Sequence, residues 1–263
     1  MTAHNWLDRA ALDRHSVEPR QWMDFRQAVL PDGQRIIDAY NSSGLAYTVL
    51  PDRGLDVWTA TYNDRPLTWI SQGAPHLPEM ALPWLQQFNG GLIVTCGLTH
   101  AGVAETDPET GEFRDLHGQY SRLRAVDVAV ERGNPDALTL SGAVTEAKMF
   151  GVQLRLERRY TLRLGEPAIH LADRVTNRGD LPAPLMVLYH VNMGYPLIAE
   201  GARFDTPHAA VYPRDAEARQ GYATWADYEG PISRYPEQVF FHHLKQQDGR
   251  TQALIGRDNF GLL

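Results

Sequence analysis

The chain has little to staple it, anchor it or charge it positively. Cys96 is its only cysteine among 263 residues, so no internal disulfide can form, and a reducing cytoplasm is the expected location. No apolar run approaches the roughly 20 residues of a membrane-spanning helix. The opening segment interleaves Asp8, Arg9, Asp13 and Arg14 with short apolar pieces, so no signal-peptide core is expected. Lys and Arg together number 25 against 32 Asp and Glu, a formal net charge of −7. With no basic block to offset it, that balance disfavours nucleic acid or an anionic membrane as partner. The chain also lacks a G-x-S-x-G elbow, a Walker loop, a G-x-G-x-x-G turn and an H-E-x-x-H helix. Serine-hydrolase and nucleotide-dependent chemistry therefore get no support, and no cofactor is expected.

What the chain does have is strand periodicity. Leu45–Leu50 is β-rich and runs into the turn sequence Pro51-Asp52-Arg53-Gly54. Leu55–Ala60 follows, then a turn at Asn63-Asp64 and a run at Pro66–Ile70. Leu123–Val130 and Leu138–Val144 alternate imperfectly. The clearest period of two sets Val152, Leu154 and Leu156 against Gln153, Arg155 and Glu157, continuing through Tyr160, Leu162 and Leu164. Gly165-Glu166-Pro167 breaks it before Ile169, Leu171 and Val175 resume. Helix signals are confined to Trp6–Arg14 and Asp215–Gln220, and residues 205–236 read as long loops. No fixed-period repeat and no linker divide the chain, so a single all-β domain of half-buried antiparallel strands over 1–263 is expected.

Three segments are candidates for chemistry. Phe88-Asn-Gly-Gly-Leu-Ile-Val-Thr-Cys-Gly97 opens a strand with paired glycines, where a close neighbour or a ligand would approach. Leu116-His-Gly-Gln-Tyr-Ser-Arg122 places His117 at a turn and Arg122 at the start of a strand. Val175–Leu197 reads as a strand, a turn at Asn177–Asp180 and a second strand carrying His190 and Asn192, which as alternate residues share a face. Each has a plainer reading. His190 could be satisfied by backbone groups, His117 could be a surface turn histidine, and Arg122 could be merely solvated. Arg53 could serve only its turn. Trp58 and Trp69 read as core, whereas Trp84, beside Pro83 and before Asn89, is the tryptophan placed to stack on a ligand. His242-His243, being adjacent on a strand, would face opposite ways and could not chelate one metal together.

In order and spacing these segments resemble the galactose mutarotase-like superfamily, the aldose 1-epimerases. The resemblance rests on His117-Gly118 followed by Arg122, on Val175-Thr-Asn177 with Pro182 and Pro184 leading to His190, and on Asn89-Gly90-Gly91 upstream. Ile93 departs from the proline of the hexose-phosphate branch. The resemblance implies a large antiparallel β-supersandwich and interconversion of the anomers of a free sugar by general acid–base catalysis. His190 would be the acid at the ring oxygen and His117 would bond the same region. Arg53, Asn89, Arg122, Asn192 and Trp84 would contact the substrate or, for Asn192, orient His190. The partner implied is a small sugar.

The resemblance also implies a glutamate base near the C-terminus, yet no glutamate follows Glu237. A C-terminally incomplete form is therefore expected, with Glu200, Asp205 and Glu237 as substitute carboxylates. Two other classes stay open: a carbohydrate-binding β-sandwich without catalysis, and a metal-dependent sugar isomerase using His100, His117 and His190.

Overall fold

Alternating apolar and polar residues become strands along most of the computed structural model, which describes residues 7–73, 77–258 and 260–262. Trp6, Asn259 and Leu263 lie outside the described residues. The chain gathers into two compact units, 1–192 and 193–263.

The first unit opens with a short helix, α1 (Arg9–His15), whose first turn is capped by the Asp8 carboxylate accepting from the Ala11 amide. A five-stranded antiparallel meander follows in chain order: β1 (Asp24–Val29), β2 (Arg35–Tyr40), β3 (Leu45–Leu50), β4 (Asp56–Tyr62) and β5 (Arg65–Pro66). Asn63 and Asp64 both adopt positive φ, 48° and 62°, which is the geometry of a tight hairpin turn between β4 and β5. The run expected to continue to Ile70 stops at Pro66, because proline gives no amide to a ladder. Trp69 consequently sits beyond the strand and is 44% exposed rather than core.

Next come β6 (Ile93–Leu98) and a small hairpin of β7 (Glu105–Thr106) and β8 (Phe113–Arg114). A second antiparallel sheet is built from β9 (Val126–Asn134), β10 (Ala137–Ala147), β11 (Gln153–Arg163) and β12 (His170–Asn177). Arg122 does not start β9. It ends a short 3₁₀ turn, Tyr120–Arg122, four residues earlier, and is buried rather than solvated. The last strand of the unit, β13 (Met186–Val191), pairs antiparallel with β6.

The period of two is what builds the core. Leu154, Leu156, Tyr160 and Leu162 on β11 are buried on one face, together with Leu140 of β10. Phe25, Ile37, Tyr47 and Val49 are the buried face of the meander. The Tyr47 and Tyr160 rings meet at 6.3 Å between centroids, so the two inner faces pack against each other as a sandwich. One buried position on β11 is not apolar: Arg158 lies on the inner face between Leu156 and Tyr160.

The turn after β3 is locked by Asp52. Its buried carboxylate accepts from the Arg35 amide at 2.9 Å and from Arg35 Nε and Nη2 at 3.0 and 2.7 Å. Burial alone would raise the Asp52 pKa, but the Arg35 side-chain and amide bonds outweigh it and hold the carboxyl below its ordinary value. A depressed folded pKa adds stability above the ordinary carboxylate range that is lost as pH falls through the folded value. Asp52→Asn is therefore expected to lower unfolding stability by about 1–3 kcal/mol at pH 7. The difference from wild type should shrink below about pH 4; urea titrations at both pH values check this, and a constant difference would contradict it.

The second unit contains a three-stranded sheet of β14 (Arg203–Asp205), β17 (Leu254–Arg257) and β18 (Gly261–Leu262). It also has an antiparallel pair of β15 (His208–Pro213) and β16 (Phe240–Leu244), with a short helix, α2 (Ala216–Gln220), in the connection between them. Among the described residues no helix is long and apolar enough to cross a membrane.

Candidate active site

β6 is the rail on which the candidate residues assemble. On one side it pairs with β13, placing His190 opposite Val94. At its end Gly97 bridges to Gly118: the Gly97 amide donates to the His117 carbonyl at 3.1 Å, and the Gln119 amide donates back to Gly97 at 3.1 Å. The His117-Gly118 turn and the His190 strand are thus fixed to one element, although the two histidines stand 73 positions apart in sequence.

The consequence is a histidine pair. The His117 and His190 rings lie 5.7 Å apart, edge to face. Three aromatic side chains pack around them. Trp84 stacks on Phe88 at 4.3 Å and meets His117 edge-on at 4.8 Å, and Phe88 lies 5.6 Å from His190. Trp69 extends the group through Phe88 at 5.9 Å. His117 is held at φ +59°, a left-handed conformation that is uncommon for a residue with a Cβ. Its Nδ1 lies 3.2 Å from the Ala101 carbonyl. A carbonyl only accepts, so Nδ1 carries the proton and Nε2 of the neutral ring is left with its lone pair.

Gly118 is the fixed point of this turn. At φ +75°, an added Cβ would lie 2.1 Å from the His100 carbonyl oxygen and 2.6 Å from that of Gly97. Both obstacles are backbone and cannot rotate away. Gly118→Ala is expected to cost at least about 1–3 kcal/mol from the strained backbone, and to disturb the near-UV signal of Trp84. Unchanged urea stability would contradict the assigned turn geometry.

Of the other residues expected at the site, most hold backbone. Trp84 is only 4% exposed, with Nε1 donating to the Ser121 hydroxyl at 3.3 Å; it braces His117 rather than offering an open face. The tryptophan with an open face is Trp69. Arg122, 5% exposed, donates to the carbonyls of Leu82 and Gly118 at 3.0 and 3.1 Å and pairs with Asp115 at 3.1 Å. It clamps the loop that carries His117. Arg53 is 4% exposed and donates to the Gln87 carbonyl at 3.2 Å. Burial pulls its pKa down to about 10, against the opposing charge of Asp56. Asn192 follows β13, and its amide donates to the carbonyls of Gly91 and His190 at 2.7 and 3.2 Å. It orients the His190 backbone rather than projecting beside the imidazole. Asn89 is buried, and its carbonyl accepts from the Ser71 amide at 3.2 Å. The neighbour that the paired glycines admit is backbone: a Cβ on Gly90 would lie 2.7 Å from the Trp69 carbonyl oxygen.

Behind the site lies an ion network that the sequence pattern does not announce. Arg158, fully buried, pairs with Asp56 of β4 and Asp173 of β12, and donates to the Thr95 hydroxyl of β6 at 2.8 Å. Burial pushes the Asp56 carboxyl up, opposed by Arg158 and by the Thr95 hydroxyl and amide. Tyr189, next to His190, donates to Asp173 at 2.7 Å; burial and that bond push its phenol up to about 12. The network therefore ties both sheets and both site strands to one guanidinium. Its only trace in the sequence is the charged residue that interrupts the β11 alternation.

The substitute carboxylates Glu200, Asp205 and Glu237 belong to the second unit, where Glu237 pairs with Arg214 at 2.8 Å. His100 does not join the pair: its Nε2 lies 2.8 Å from the Val103 carbonyl and its Nδ1 3.6 Å from Glu105. Among the described residues no three His, Cys, Asp or Glu side chains converge on a metal position, so the ligand set His100, His117 and His190 does not form. His242 and His243 face different neighbours, Trp225 and Tyr212 respectively.

A family model described as "Domain of unknown function (DUF4432)" matches residues 31–262. The sequence matches no curated protein. Among solved structures, the chain is similar to a candidate aldose 1-epimerase from Klebsiella pneumoniae, at 25% identity and a TM-score of 0.80, over 89% of this chain and 64% of that one. It is similar to a galactose 1-epimerase from Lactobacillus acidophilus at 15% identity and a TM-score of 0.51, over 73% of this chain and 59% of that one. A protein from Synechocystis sp. PCC 6803 matches at 14% identity and a TM-score of 0.51, over 83% and 79%. The chain thus spans less than two thirds of the length of the first two. The fold is the all-β, galactose mutarotase-like fold that the sequence resemblance implies.

Proposed function

The chain belongs to the DUF4432 family, and from that premise we propose that its first unit interconverts the anomers of a free neutral aldose by general acid–base catalysis. The observation that carries the reading is the 5.7 Å approach of His117 to His190. A cyclic aldose carries its ring oxygen and its anomeric hydroxyl on the same carbon, so two adjacent imidazoles can address both. His190 gives a proton to the ring oxygen as the C1–O bond breaks. His117, with a lone pair on Nε2, takes the proton of the anomeric hydroxyl. The open aldehyde rotates about C1–C2, and ring closure on the other face returns both protons. The exposed ring of Trp69, with Phe88, is suited to the C–H face of a sugar. This assignment needs no C-terminal glutamate, since one histidine serves as acid and the other as base.

Soaking crystals with neutral aldoses tests the reading. The expected result is a sugar whose ring oxygen is within hydrogen-bond reach of the His190 imidazole and whose anomeric hydroxyl reaches His117 Nε2. A sugar bound there without catalysis, its anomers equilibrating only at the buffer rate, would favour the carbohydrate-binding alternative.

A further inference from the structure

The second unit holds a cavity of about 600 Å³ whose wall comes entirely from residues between Phe204 and His242. Its rings brace one another. Trp225 meets His242 edge-on at 4.7 Å and Phe204 edge-on at 6.4 Å, so the aromatic wall is held in place. Tyr235 adds a ring that is 55% exposed.

The polar groups have assignable roles. His208 Nδ1 lies 2.8 Å from the Thr206 carbonyl, which only accepts, so that nitrogen carries its proton. The Thr206 hydroxyl lies 3.2 Å from that nitrogen and 3.4 Å from His242 Nδ1, so it links the two imidazoles. The His242 ring is thereby held at the cavity wall. Burial and the neighbouring His208 push its pKa below the ordinary imidazole value, which keeps the ring neutral at neutral pH. The cavity wall therefore includes an uncharged imidazole. Three carboxylates line the wall: Glu229, which has no hydrogen bond or ion pair among the described residues, Asp227, which shares one oxygen with Arg203 at 2.9 Å, and Glu237, which pairs with Arg214 at 2.8 Å.

Ring faces beside a neutral imidazole and carboxylate acceptors match a ligand with apolar C–H faces and a rim of hydroxyls. The carboxylates disfavour an anionic ligand such as a sugar phosphate or a sugar acid. We propose that the second unit binds a neutral sugar in this cavity, with Trp225 and Tyr235 against its C–H faces and His242 and Glu229 on its hydroxyls. The inference shares its ligand class with the function proposed above but uses none of the catalytic assignments of the first unit.

The test follows the indole N–H resonances of the six tryptophans in uniformly ¹⁵N-labelled protein, with the Trp225 signal assigned by Trp225→Phe. Titration with D-galactose and D-glucose is expected to shift the Trp225 signal saturably in wild type and in His190→Gln. Glu229→Gln should weaken the response about tenfold or more, as expected for losing a hydrogen bond to a charged acceptor. The proposal is overturned if Trp225 responds to neither sugar, if it responds only to methylammonium, or if Glu229→Gln leaves the affinity unchanged. Loss of the response in His190→Gln would overturn a self-contained site. A Trp225 response in a protein without mutarotase activity would sink only the catalytic reading, and activity without that response would sink only this one.

Discussion

Replacing His190 with glutamine should slow anomer interconversion by about 10²- to 10⁴-fold, the usual contribution of a general acid–base group. Glutamine keeps a hydrogen-bonding side chain of similar reach but cannot surrender a proton, so binding should survive better than turnover. The fold should survive too. His190 is held by the ladder to Val94, and the Asn192 amide grips its carbonyl, both through backbone. Polarimetry on freshly dissolved α-anomer gives the rate, and the far-UV and near-UV spectra report the fold. His117→Gln should show a loss of the same order. The double variant should be scarcely slower than either single one, because two groups that act as a unit do not lose their effects independently. Multiplying losses would mean that each histidine works alone. Full activity in either single variant would remove that residue from the mechanism.

The largest stability effect is expected at Arg158. Arg158→Met removes the guanidinium that pairs with Asp56 and Asp173 inside the sandwich, leaving two buried carboxylates without their counter-charge. Breaking a buried ion pair from one side costs about 3–5 kcal/mol, because the stranded charge keeps its desolvation penalty. Unpaired buried carboxylates favour the protonated form, so the variant should regain stability relative to wild type as pH falls. Urea unfolding at neutral and mildly acidic pH measures both. A loss below about 1 kcal/mol would place the pair in the range of exposed salt bridges and contradict its role as the tie behind the site. The network reaches the chemistry through Tyr189, which shares Asp173 with Arg158 and stands next to His190. Turnover in Arg158→Met should therefore fall even in the fraction that remains folded.

Much of the fold can be read from the sequence because strands with one buried face declare their period. Leu45–Leu50 is a strand from end to end, and the alternation from Leu154 to Leu162 is the inner face of β11. The break at Gly165-Glu166-Pro167 separates β11 from β12. The pattern is blind at Arg158, where a charged residue in an apolar series looks like an interruption. Only the three-dimensional arrival of Asp56, Thr95 and Asp173 explains its burial. The histidine pair was legible as two residues but not as a distance, since their approach depends on both segments meeting at β6. Phe88 and Trp69 were not legible as site residues because they lie in irregular segments, whose side-chain directions no period predicts. The arginines were misleading for a related reason. In a turn a guanidinium looks available, yet Arg53 and Arg122 are buried and bonded to backbone carbonyls. Asn192 misleads in the same way, because its amide completes hydrogen bonds at a strand end that period-two reasoning assigns to the strand itself.

The central claim, that the histidine pair opens and closes an aldose ring, is tested most directly by magnetisation exchange between α and β anomeric protons at equilibrium. Neutral aldoses in catalytic excess over wild-type protein should show exchange cross-peaks that are absent from buffer and absent with His190→Gln. Exchange at the buffer rate for every hexose and pentose tried, with the protein folded, would contradict the account.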